Sequence, residues 1–180
     1  MRPAGRVRLA LGGAALLGAA PAAGQIGELH LGVVATYGTP ATYGPGAGLV
    51  AGVAPGRLVY VGLRWTYQVG APSLHVRNRV QSYAVDLGVQ IPAGALEIVP
   101  SMSLGVLRFA QRTPAASRHS TEFLAAPGLA VEIPVARIAV IPEIQVYLAG
   151  SPALLQPVTH RGVLASLRIV VPIEISRFRW

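Results

Sequence analysis

Four histidines offer the first possibility of chemistry: His30, His75, His119 and His160. Histidine metal sites commonly use paired spacings such as H-x-x-x-H, or histidines with nearby cysteines. This chain has no such pair and no cysteine at all, so a thiol nucleophile, a disulfide framework and a lipidated cysteine are ruled out. The nearest approach to a nucleophile with its base is His119-Ser120, with Glu122 close behind. On an extended strand, adjacent side chains point to opposite faces, so His119 and Ser120 would be turned away from each other. Nucleophile-elbow, phosphate-loop and dinucleotide fingerprints are missing as well. Neither an enzyme nor a cofactor or metal is expected.

The elements that must carry these residues are short and apolar. Of 180 residues, 52% are hydrophobic and only 12% charged, with mean hydropathy +0.52. A soluble domain is about one quarter charged. A membrane-spanning helix needs about 20 consecutive apolar residues, and beyond residue 25 Pro, Gly or a charge breaks every candidate run. The apolar character is therefore spread over many short segments. The 15 basic residues are all Arg, giving a net charge of +8. A basic stripe interleaved with aromatics is absent, so nucleic acid is not an expected partner.

Residues 1–24 read as a signal peptide. Arg2, Arg6 and Arg8 precede the apolar run Leu9 to Ala20, and Ala22 and Gly24 suit cleavage before Gln25. Its removal leaves twelve Arg against seven acids, a net +5, on a domain of residues 25–180.

In that domain Pro55, Pro92, Pro134 and Pro172 recur at near-even spacing, each after an alternating apolar run. After the first three, another run resumes at once, the pattern of strand, tight turn, strand. Longer polar stretches lie between these turns: Gly38 to Tyr43, Gly70 to Asn78, Gln111 to Thr121 and Ala149 to Arg161. Eight strands are predicted, at about 27–37, 43–54, 57–69, 79–91, 95–109, 122–133, 137–148 and 162–175. They are long enough to cross a bilayer at a tilt.

Alternation then sorts the faces. Val59, Val61, Leu63, Trp65, Tyr67 and Val69 share one side of the third strand, while Tyr60, Gly62, Arg64, Thr66 and Gln68 share the other. Glu28, Asp86, Glu97, Glu122, Glu132 and Glu143 all take the less apolar face, and Arg64, Arg137 and Arg168 join them. A water-soluble sheet protein turns its apolar face to its own core. Here the broader greasy face suits lipid, and the small polar face suits a packed interior holding an Arg–carboxylate network. Tyr37, Tyr43, Trp65, Tyr67, Tyr83 and Phe123 fall near the long-loop ends on the outward parity, where an interfacial aromatic girdle belongs.

With its long loops on one rim and short turns on the other, this pattern resembles bacterial outer-membrane β-barrels of the small eight-stranded, OmpA- or OmpX-like architecture. The resemblance spans nearly all of residues 25–180. It implies an antiparallel up-and-down transmembrane barrel, all-β, exported to the outer membrane and monomeric. It also implies that Phe178 and Trp180, in the terminal alternating run Ile175 to Trp180, serve as the aromatic signal read by the barrel assembly machinery. Those two residues fall on the wrong parity for the last strand, so either a β-bulge between Pro172 and Ser176 returns them to the lipid face, the favoured expectation, or the barrel closes by about Ile173 and the last residues form a tail. Outer-membrane lipid is the expected surrounding. Arg77, Arg79, Arg112, Arg118 and Arg161 gather at the long-loop rim, where the planar guanidinium could contact lipopolysaccharide phosphates. A structural or surface-interaction role with a filled lumen is the leading expectation. A narrow solute channel, and a soluble periplasmic carrier of the lipocalin kind, are the alternatives.

Overall fold

The structure is a computed structural model, and it describes residues 27–39, 41–55, 58–70 and 76–175. The expected signal peptide, His75, Phe178 and Trp180 lie outside the described residues.

The strands are β1 (Gly27–Thr39), β2 (Gly44–Pro55), β3 (Val59–Val69), β4 (Arg77–Val89), β5 (Ile91–Ala93), β6 (Leu96–Arg112), β7 (Ser117–Val135), β8 (Ile138–Ala149) and β9 (Arg161–Ile175). All neighbours pair antiparallel. The register of β4 on β6 (Gly88↔Ser101) continues unchanged into β5 on β6 (Ile91↔Ile98), so β4 and β5 are one stave and the barrel has eight. It closes because β1 pairs with β2 on one side and with β9 on the other, from Gly27↔Ile175 to Thr39↔Val163. A closed sheet leaves no edge strand with unpaired backbone groups.

Two strand expectations are not met, and one further irregularity appears that the sequence reading does not address. First, Gln111 to Thr121 is not a loop: β6 and β7 run on as a paired ribbon to Arg112↔Ser117, turning at Thr113 to Ala116. Backbone pairing needs no apolar pattern, so the polar composition conceals the strand. Second, the expected β-bulge does not occur through Ile175. Pairing of β9 with β1 keeps one register past His30↔Pro172. Third, the β7–β8 ladder is interrupted beside Pro127 and Pro142 without any slip in register. Proline has no N–H to donate, so the ladder loses bonds there while the alternation of faces survives.

Alternation dictates what meets what. Leu87 is 42% exposed and Ile144 59%, whereas their chain neighbours Asp86 and Glu143 are 2% and 3% exposed. The apolar parity faces outward all round the wall, and the charged parity faces inward. The interior is not uniformly polar, however. Tyr43, Leu107, Phe109, Leu124, Tyr147 and Leu164 form one buried cluster, and Val34, Val50, Val99, Ala130, Ile141 and Val170 belong to a second.

Space inside is tight, and glycine provides it. The Tyr60 ring lies across Gly52 and Gly62; a methyl built on Gly52 would come within 2.5 Å of the phenol oxygen, and one on Gly62 would also clash. Gly62→Val is therefore expected to cost about 1–3 kcal/mol by overpacking. The measurement is the urea midpoint of the barrel refolded in detergent, and an unchanged midpoint would show that the Tyr60 ring yields freely.

Candidate functional site

The interior of a barrel this narrow is filled by side chains. On β6 the inward residues run Val99, Ser103, Leu107; on β8 they run Ile141, Glu143, Gln145, Tyr147; on β9 they run Val170, Arg168, Ser166, Leu164. On all three strands a polar layer therefore sits between the two apolar clusters.

Arg64 on β3 is the centre of that layer. Its Nε donates to Asp86 Oδ2 at 2.8 Å, and its Nη1 donates to Gln145 Oε1 at 2.8 Å and lies 2.8 Å from Glu143 Oε2. Asp86 also accepts from the Ser103 hydroxyl at 2.6 Å, and Glu143 accepts from Ser166 at 3.1 Å. Arg168 completes the group, with its Nε 3.6 Å from Glu143 Oε2 and its guanidinium 5.9 Å from the centre of the Tyr60 ring. Two cations and two anions balance, which removes the large penalty of isolated buried charge. Gln145, Ser103 and Ser166 are network members that the sequence reading misses, because sorting charged residues alone by parity passes over neutral partners.

The remaining residues of the expected network lie elsewhere. Glu28, Glu97 and Glu132 sit toward the short-turn end around one hollow with Gln90, and Glu28 lies 3.4 Å from His30 Nε2. Glu122 sits near the other end, accepting from Ser120. Arg137 does not enter the interior at all: it follows Ala136, whose φ is +56°, in the exposed turn between β7 and β8. A strand is expected to begin there, and the turn takes the residue instead.

The aromatic set divides in the same manner. Tyr37, Trp65, Tyr67, Tyr83 and Phe123 point outward, and pairing puts Trp65 beside Tyr83 and Val106 beside Phe123. Tyr43 is the correction: only 1% exposed, it turns into the barrel mouth. Its hydroxyl donates to the His160 carbonyl at 2.9 Å, and its ring meets Tyr147 edge-on at 5.7 Å. Burial raises the Tyr43 phenol above its ordinary pKa, and the neighbouring Tyr147 adds to that, so it stays a protonated donor.

The connection between β8 and β9 folds across this mouth. Leu154 and Val158 pack on the upper apolar cluster, and the Gln156 N–H donates to Gln111 Oε1 at 2.7 Å. His119 faces outward, on the opposite side of β7 from the Ser120–Glu122 pair, so the three do not form a relay. Among the described residues no cluster of acids and histidines could hold a metal.

At the rim, Arg77, Arg79 and Arg112 surround a hollow of about 480 Å³ with His119 and the β6–β7 turn. Arg118 is exposed on β7 beside Gln111, and Arg161 begins β9, three strands round the wall from β6. Arg108, an outward residue of β6, joins Arg79 and His119 in a second hollow and is not among the expected rim residues.

No family model matches the sequence, and no curated protein matches it either. Solved structures do share the fold. Neisserial surface protein A (NspA) superposes with a TM-score of 0.61 at 8% identity, covering 83% of this chain and 97% of that one. A major outer membrane protein from Thermus thermophilus gives 0.62 at 11% identity, covering 82% and 99%. Ail, the attachment invasion locus protein of Yersinia pestis, solved with the heparin analogue sucrose octasulfate, gives 0.54 at 9% identity, covering 84% and 99%. The chain thus has the fold of small eight-stranded outer-membrane barrels.

Proposed function

We propose that this chain is an integral outer-membrane barrel with a structural or surface-interaction role, no catalysis and no open pore. The observation that carries the reading is the inversion of faces: apolar side chains line the outside while Arg64, Asp86, Glu143 and Arg168 are buried inside. Charge held within and hydrocarbon presented outward is the arrangement a bilayer favours. The outer-membrane barrels that share this fold support the compartment. The partners of this reading are outer-membrane lipid, lipopolysaccharide phosphates at the basic rim and, during biogenesis, the assembly machinery. The barrel works as a monomer.

The layered interior argues against a channel. A solute would have to displace the upper apolar cluster, the ionic layer and the lower apolar cluster in turn. Two measurements test the reading. In membrane fractionation the protein should partition with the outer membrane and migrate differently on gels with and without boiling. In planar bilayers the refolded protein should give no steady conductance. Recovery only from the soluble periplasmic fraction would end the membrane reading, and steady single-channel steps would replace the filled lumen with a conducting one.

A further inference from the structure

Above the aromatic row, the outer wall changes abruptly from greasy to cationic on one side of the barrel. Pairing fixes the neighbours across the tilted strands. Trp65, Tyr83, Val106 and Phe123 form one row; Tyr67, Gln81, Arg108 and Thr121 form the next; Val69, Arg79, Ala110 and His119 the next; and Arg77 pairs with Arg112 beyond that. Successive rows are two residues apart, roughly 6–7 Å along the strands. A headgroup layer is about 5–8 Å deep on each side of the hydrocarbon. Arg108 lies one row and Arg79 two rows beyond the aromatic row, about 5 and about 10 Å along the axis for strands tilted by about 40°. Arg108 is thus at headgroup level when that row marks the hydrocarbon boundary, and Arg79 is just beyond it, sharing a hollow with Arg108.

Two hollows meet at this level. Tyr67, Arg79, Gln81, Arg108 and His119 line one of about 220 Å³, and Arg79 and His119 also line the larger hollow that holds Arg77 and Arg112. None of the chain's 7 acids lines either hollow. Directly below, Leu49, Leu63, Trp65, Tyr83, Leu104 and Val106 border an outward apolar groove of about 510 Å³, floored in part by Ala51.

We propose that this stretch of wall, on β2, β3, β4, β6 and β7, is one binding site for a single phosphorylated, acylated glycolipid of the outer leaflet. The groove takes an acyl chain, and Arg79, Arg108 and His119, with Arg77 and Arg112 above them, take its phosphate groups. Arginine matches phosphate oxygens with paired donors. So many cations without an acid among them call for phosphomonoesters rather than a single phosphodiester. The inference rests on the outer-membrane reading above and narrows its contact at the basic rim to one stretch of wall, one lipid per barrel and a groove for the acyl chain.

The test is native mass spectrometry of the refolded full barrel released from detergent, with diphosphorylated lipid A as probe. One molecule per barrel should be retained, and enzymatically dephosphorylated lipid A should be retained at least about tenfold less, since charge-assisted hydrogen bonds dominate recognition. Arg79→Gln with Arg108→Gln should lower retention to a similar extent. Ala51→Phe, which fills the groove from the lipid side, should also lower it. Arg137→Gln, at the opposite rim, should leave it unchanged. Equal retention of phosphorylated and dephosphorylated lipid, or an equal loss with Arg137→Gln, would overturn the site. So would tight binding of a soluble polysulfated sugar with no retention of lipid A. A barrel that inserts and shows heat modifiability yet keeps no lipid refutes this inference alone, whereas a chain that never enters membranes refutes it together with the reading beneath it.

Discussion

Arg64→Ala should destabilise the refolded barrel by about 3–5 kcal/mol, the cost of leaving buried carboxylates without their cation. Arg64 is 3% exposed and bridges Asp86 from β4 to Glu143 and Gln145 from β8. Truncating it leaves two anions with Ser103, Ser166 and the single cation Arg168, 3.6 Å from Glu143 and 4.0 Å from Asp86. The quantity to measure is the unfolding free energy from urea titration in detergent micelles or lipid vesicles. A double-mutant cycle with Asp86→Ala sharpens the result. Removing both partners should cost less than the sum of the single losses, because the second deletion relieves the charge exposed by the first. Strict additivity would mean that the quartet is not coupled and that the interior is wetter than its burial implies.

A second large loss is expected one residue along from the same network. Leu87 follows Asp86 on β4 but points to the opposite face, and it lies two rows toward the short turns from Tyr83. Leu87→Arg places a cation against hydrocarbon well inside the aromatic row, at about 2–4 kcal/mol for a position near the bilayer midplane. The control is Ile91→Arg at the short-turn end, where the side chain can snorkel to the interface and the loss should fall to about 0–1 kcal/mol. If Leu87→Arg unfolds at the wild-type urea concentration, that face does not meet lipid. In a water-soluble barrel the same exposed substitution would be nearly neutral, so the sign of this one experiment separates the two environments.

How much of this can be read beforehand depends on what the period-two pattern controls. Asp86 beside Leu87 and Glu143 beside Ile144 are legible because strand alternation leaves each residue one of two faces. Where a strand begins, that rule loses its hold. Tyr43 reads as the first residue of a strand, yet β2 starts at Gly44, and in the turn its ring is free to swing inward. Arg137 fails for the same reason at the β7–β8 turn. The paired ribbon from Gln111 to Thr121 is hidden because neither of its faces is buried in hydrocarbon along its whole length, so no apolar alternation is required. The inner apolar clusters are obscured differently. Leu107, Leu124 and Leu164 share the inward parity with charged residues, and averaging a whole face blends two greasy layers with the ionic one between them. Proximity of Arg108 to Arg79 is invisible, since they are on different strands and only register brings them to neighbouring rows.

The seam between β1 and β9 has a consequence for how the molecule can be made. The ribbon that begins at Gly27 finds one of its two mates only when Ile175 has been synthesised, at the far end of the described chain. Without that strand the sheet could only be an open curl with two raw edges, and the ionic quartet draws on strands as distant in sequence as β3 and β9. A cylinder built this way has no half that is content by itself. Closure therefore needs strands from both ends of the described residues, and pairings so distant in sequence form slowly.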